Sequence, residues 1–216
     1  MTVETTRTTI DIGRWNRKNH FNFYKDFPDP NFNICFSLDI TTAYQFAKSH
    51  QLSPFLVLMY LSSRACNSVE AFRIRLNKQN KPYLINCVQP SATVANADGI
   101  FNFCNMEHHE SLTMFIDTNS KLVDASLNAE PLAVVENKDY QIFYSITPWL
   151  NFTSYKHAKG AGFFDIPRIV FGKIDTTNEK IAMPVSIELH HAIADAIDIA
   201  KYEQSFTEHM KSLTLV

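Results

Sequence analysis

Two adjacent histidines, His190 and His191, stand near the carboxyl end of the 216-residue chain, and Asp195 follows the second by four positions. Imidazole titrates near neutrality. A histidine held neutral in a cleft can therefore take a proton from a hydroxyl group. The apolar run Ala182 to Leu189 delivers the pair into a turn. The bare pattern HHxxxD also fits a structural pair whose ring nitrogens are satisfied inside the protein, and both readings stand at this level. A metal site fits less well, because adjacent residues on a strand point to opposite faces and no HExxH spacing or cysteine partner is present. No metal is expected.

The elements that must position this segment are legible in the hydrophobic pattern. Phe32, Ile34, Phe36, Leu38 and Ile40 alternate as one face of a half-buried strand. A helix then runs from Thr41 to His50, with Thr41 or Thr42 as its N-cap. Pro54 opens a second helix, Phe55 to Ser68, apolar nearly all round and so buried. Strands are expected at Ile10 to Ile12, Tyr83 to Cys87, Ala92 to Ala95, Ile100 to Phe103, Tyr140 to Ile146, Asn151 to Tyr155 and Pro167 to Lys173. Helices are expected at Trp15 to Phe23, at Ser111 to Ala129, and at Ile193 to Leu213 with Ile197, Ala200, Phe206 and Leu213 in the core. Strands and helices intermingle without strict βαβ alternation. The fold class is therefore α/β (α+β), a mixed-sheet two-layer sandwich, and residues 1–216 read as one domain.

Composition narrows the function. Net charge is −2, with 20 basic and 22 acidic residues dispersed along the chain, so neither nucleic acid nor an acidic membrane surface is an expected partner. No apolar run approaches the roughly 18 residues of a membrane span. The first residues carry no signal-peptide pattern. Cys35, Cys66, Cys87 and Cys104 are widely spaced, as expected of free thiols in a reducing compartment. A soluble cytoplasmic protein is the expectation.

Four segments together resemble the chloramphenicol acetyltransferase family, one branch of the HHxxxDG acyltransferases, from end to end. They are Trp15-Asn16-Arg17-Lys18-Asn19-His20-Phe21-Asn22-Phe23-Tyr24, then Ser145-Ile146-Thr147-Pro148-Trp149-Leu150-Asn151-Phe152-Thr153-Ser154, then Pro167 to Lys173, and finally His190 to Ala196. The resemblance implies an O-acetyltransferase that uses acetyl-CoA as co-substrate, with no bound cofactor, and acts on chloramphenicol or a related small hydroxyl compound. His191 would be the general base, Ser145 an oxyanion donor, and Asp195 with Arg17 a buried ion pair that holds the catalytic loop. Phe23, Tyr24, Phe32, Phe101 or Phe103, Tyr155 and His157 would line the acceptor pocket, and Lys173 would meet the CoA phosphates. A homotrimer with its active sites at subunit interfaces is implied as well, His191 of one chain facing the acceptor pocket of the next.

The chain departs from the family pattern in four places. Ala196 replaces a glycine, Ile197-Asp198 replaces an aromatic and a histidine, Val170 stands for a threonine, and His157 for an apolar residue. These changes touch the oxyanion site and the acceptor wall but leave the proton-transfer residues in place. They keep two other readings open: a non-catalytic small-molecule-binding trimer of the same fold, and an acyltransferase with a different acceptor or donor.

Overall fold

The computed structural model describes residues 4–130, 138–158 and 165–215. In chain order the elements are β1 (Arg7–Thr9), α1 (Lys18–Tyr24), β2 (Asn31–Asp39), α2 (Thr41–Ser49), α3 (Pro54–Ser68), a 3-10 turn (Glu70–Arg73), β3 (Ile74–Leu76), β4 (Pro82–Ile85), β5 (Gln89–Ala95), β6 (Phe101–Asn105), α4 (Leu112–Leu127), β7 (Gln141–Ile146), β8 (Arg168–Phe171), β9 (Ala182–His190) and α5 (Ala196–Lys211). Six strands form a mixed sheet in the order β2-β9-β8-β7-β5-β6, and three form a small sheet in the order β1-β4-β3.

The antiparallel β2·β9 ladder runs from Asn31 opposite His190 to Asp39 opposite Ala182. Its alternation sorts Phe32, Ile34, Phe36 and Leu38 with Met183, Val185, Ile187 and Leu189 onto the face that packs against the helices. The opposite face is polar. There Asn33 Nδ2 donates to Ser186 Oγ at 2.7 Å, and Arg168 pairs with Glu188 at 3.2 Å, both side chains buried. The ladder carries the histidine pair on a stiff ribbon.

Helix α3 begins as expected, with Ser53 accepting from the Leu56 amide ahead of Pro54. Helix α2 does not use Thr41 or Thr42 as its cap. Asp39 Oδ1 accepts from the Thr41 amide at 3.0 Å, and Thr41 is already helical. On α5 the inward residues are Ile199, Tyr202, Phe206 and Met210, while Ile197 is 61% exposed, Ala200 is exposed and Leu213 is half-buried. The helical repeat admits either stripe, and packing against α3 selects the one with the larger side chains.

Two other expectations need correction, and one strand lay outside them. Residues 10–12 are not a strand; β1 lies just before them and pairs with β4. Asn151 to Tyr155 is irregular, because the chain there passes over Gly172 instead of joining a ladder. A Cβ on Gly172 would stand 2.8 Å from Leu150 O and 2.9 Å from Phe152 Cε1, so glycine alone permits that crossing. Strand β3 gave no usable pattern, and its Arg75 is wholly buried. The guanidinium donates to the carbonyls of Phe72, Ile74, Asp139 and Gln141, tying the small sheet to the large one, and burial pulls its pKa down to about 10.

All four cysteines are free. Among the described residues no helix is long and apolar enough to cross a membrane.

Candidate active site

His191 is the first residue beyond β9. Its amide donates to Pro30 O at 2.8 Å, which anchors it to the start of β2. The chain then turns through Ala192, Ile193 and Ala194, all buried, into Asp195 at the head of α5. Ala196 sits in the helix with no positive φ, so the turn dispenses with the glycine freedom expected there.

Arg17, just ahead of α1, grips this turn. Its Nε donates to Ala192 O at 3.0 Å, Nη2 to His191 O at 2.6 Å and to Ala194 O at 2.9 Å, and Nη1 pairs with Asp195 Oδ2. A planar fork of donors suits three carbonyls and a carboxylate at once, which a lysine ammonium would not. The hydrogen bond from Arg17 holds the Asp195 carboxyl below its ordinary pKa.

The orientation of the imidazole follows from its neighbours. Nδ1 of His191 lies 3.2 Å from Ala194 O and 3.1 Å from Asp195 Oδ1. Both atoms are acceptors, so Nδ1 carries the hydrogen and the neutral ring keeps its lone pair on Nε2. No group among the described residues bonds Nε2. The Tyr24 ring stacks on the imidazole at 4.1 Å, and Phe32 tilts against it at 4.7 Å. Phe23 and Phe27 extend this aromatic corner into solvent, 64% and 42% exposed. Phe27 escaped the sequence argument, and only its spacing after Phe23 could have suggested it. His190 turns the other way: it is buried, and its Nδ1 accepts from the Ala192 amide at 3.2 Å.

The remaining candidates gather elsewhere. Ser145 is half-buried on β7, and its hydroxyl has no hydrogen-bond partner among the described residues. It lies opposite Val170 on β8, which lies opposite Ser186 on β9. Ser145 is thus two strands across and five residues along from His191, about 10 Å by about 16 Å and so roughly 19 Å apart. Thr93 extends the same row, its Oγ1 accepting from the Ile146 amide at 3.4 Å, and Phe103 pairs with Thr93 on the edge strand. Phe101 and Phe103 stack edge to face and are 45% and 44% exposed. Phe152, Tyr155 and His157 form a chain of ring contacts at 5.6 and 5.0 Å beside Gly172. Lys173 is exposed two residues beyond β8. The aromatics therefore divide: Phe23, Tyr24 and Phe32 accompany their own chain's imidazole, while Phe101 and Phe103 accompany Ser145.

Comparison with known proteins gives the family of the chain. A sequence model of the family described as chloramphenicol acetyltransferase matches residues 5–206. The chain belongs to that family. A chloramphenicol acetyltransferase of Klebsiella sp is 27% identical over 202 residues, covering 91% of this chain and 90% of that protein. One from Staphylococcus aureus is 26% identical over 212 residues, covering 96% and 98%. A solved chloramphenicol acetyltransferase superposes with a TM-score of 0.87 at 25% identity, over 95% of this chain and 100% of the other. The dihydrolipoamide acetyltransferase of Azotobacter vinelandii shares the fold, with a TM-score of 0.64 at 14% identity over 96% of this chain and 91% of the other. As a member of the chloramphenicol acetyltransferase family, the protein is an enzyme of the acyltransferase type.

Proposed function

We propose that residues 1–216 act as a single catalytic domain that moves an acetyl group from acetyl-CoA to a hydroxyl of chloramphenicol or a related small molecule. Both substrates are held together in a ternary complex. The observation that carries this reading is the placement of His191 Nδ1 against two acceptors, Ala194 O and Asp195 Oδ1. With Nδ1–H committed to Ala194 O and Asp195, Nε2 is a lone pair in an aromatic corner that suits a small aromatic alcohol.

In the proposed step Nε2 takes the hydroxyl proton as the acceptor oxygen bonds to the thioester carbonyl carbon. The resulting oxyanion is met by the unpartnered hydroxyl of Ser145, a donation of the kind worth about 3 kcal/mol. Collapse breaks the carbon–sulfur bond, and the CoA thiolate takes the proton back from the imidazolium. Proximity of the two substrates supplies a further part of the rate. Lys173, exposed beyond β8, would meet the CoA phosphates as a point charge.

The separation of roughly 19 Å between His191 and Ser145 means that one chain alone does not assemble this centre. It supports a homotrimer in which His191, Tyr24 and Phe32 of one chain face Ser145 and the Phe101 and Phe103 edge of the next. Four free thiols support a reducing compartment, the cytoplasm. Val170, buried beside Ser145 without a hydroxyl, and His157 favour an acceptor other than chloramphenicol as the second reading.

The test follows CoA release with a thiol reagent over a panel of hydroxyl acceptors that includes chloramphenicol. Thiol release with the drug, abolished in His191→Ala, is expected. Full activity in that variant would exclude His191 as the base, and tight drug binding without thiol release would replace transfer by sequestration.

A further inference from the structure

Nδ1 of His191 faces Ala194 O at 3.2 Å and Asp195 Oδ1 at 3.1 Å, so the aim of the base depends on what fixes that carbonyl and the residue after it. The carbonyl of Ala194 and the amide of Asp195 are two ends of one planar peptide unit, and turning either end turns the other. Arg17 holds the oxygen end at 2.9 Å. The nitrogen end is held by Asp198, whose Oδ2 accepts from the Asp195 amide at 3.0 Å. Asp198 is well placed for this. It is the third residue of α5, its own amide donates to Asp195 O at 2.9 Å, and Lys201 braces its other oxygen at 3.0 Å. A carboxylate at that position reaching back to the cap amide is half of a capping box. Its side chain is only 14% exposed, so water competes weakly for the amide. The sequence departs from its family pattern at this residue, and the glycine that would ordinarily ease the turn is Ala196.

We propose that Asp198 is a positioning residue for the general base. It grips the Asp195 amide and so aims the Ala194 carbonyl at His191, fixing which ring nitrogen carries the hydrogen. This rests on the reading of His191 as the proton acceptor. A carboxylate acceptor also polarises the peptide it binds, which strengthens the carbonyl at the far end as an acceptor for Nδ1–H. Asp198 touches no substrate and acts only through the peptide.

The experiment uses the full chain labelled with nitrogen-15 at histidine, in the wild type and in Asp198→Ala, Asp198→Ser and Asp198→Asn. Long-range proton–nitrogen spectra report the tautomer of His191, and steady-state kinetics report kcat and KM for both substrates. Alanine is a strong helix former and keeps α5; serine is too short to reach the amide and gives a second loss variant. Both are expected to raise the share of the Nε2–H tautomer severalfold. They should lower kcat about 10-fold, the effect of losing one charge-assisted hydrogen bond, and leave each KM within about twofold. Asparagine, which keeps an acceptor at the same reach, is expected to restore both readouts to within about twofold of wild type. An unchanged tautomer and kcat in the folded alanine or serine variant would overturn the proposal. So would an asparagine variant no better than they are, since that is what a purely structural cap would give. If the wild type transfers no acetyl group, the functional reading fails while the tautomer comparison still decides the role of Asp198. If the wild type is active and neither readout moves, the positioning claim alone falls.

Discussion

Replacing Arg17 with methionine removes the side chain that hydrogen-bonds the turn from His191 to Asp195. Four bonds are lost at once, to the carbonyls of His191, Ala192 and Ala194 and to the Asp195 carboxylate. Bonds to a charged group contribute about 1.5–3 kcal/mol each, but Arg17 and Asp195 retain some solvent contact, at 14% and 30% exposure, so water replaces part of that sum. Stranding one partner of a buried pair costs about 3–5 kcal/mol, and the partial exposure puts Arg17→Met near the lower end, about 3 kcal/mol. For a chain of this size that is a fall of roughly 6–12 °C in Tm. The loss depends on pH with a definite sign. Asp195 is held below its unfolded value by Arg17, so its contribution is complete above the unfolded pKa of about 4 and disappears as pH falls through the folded value. The stability gap between wild type and variant should accordingly be widest near pH 7 and narrow below about pH 4. Thermal unfolding followed by circular dichroism at pH 7 and at pH 3.5, beside a kcat measurement, checks this. A methionine variant within 2 °C of wild type with full kcat would refute the argument, as would a gap that stays constant into acid.

Two further outcomes rest on different parts of the molecule. Gly172→Ala would push a methyl group to 2.5 Å from Pro184 Cγ and 2.8 Å from Leu150 O. It should cost about 1–3 kcal/mol in chemical denaturation and lower activity by displacing the segment that carries Trp149 and Phe152. Cys66, wholly buried with its thiol pushed up to about 12, should resist a thiol reagent in the native protein and react only on unfolding; rapid labelling of Cys66 would contradict its packing.

What the sequence made legible follows from which forces act locally. The β2 strand and the run into His190 were readable because one side of each packs against helices, and a period of two survives in the residue types. Pro54 announced α3 for a similar local reason, while the Ser53 cap ahead of it was not read from the sequence. The inward stripe of α5 was not readable, since Ile197 and Ala200 are as apolar as Ile199 and only contact with α3 separates them. Strand β3 was hidden because its central residue is Arg75, whose burial depends on carbonyls from Phe72, Ile74, Asp139 and Gln141. At the site, the motifs singled out His191, Ser145, Asp195 and Arg17 as candidates, but residue types carry no register. The row from Ser145 through Val170 to Ser186 separates Ser145 from the imidazole and sorts the aromatics into two groups. Asp198 looked like a loss when set against the family pattern, and its hydrogen bond to the Asp195 amide is visible only in three dimensions.

The distance between Ser145 and His191 also bears on inheritance. In the proposed trimer a chain spoiled at its histidine still lends a serine-bearing wall to an intact neighbour. Each junction needs one histidine and one serine, so a trimer mixing sound chains with histidine-damaged ones would keep as many working junctions as it has sound chains, while a trimer mixing histidine-damaged with serine-damaged chains, each inert alone, would regain one intact junction.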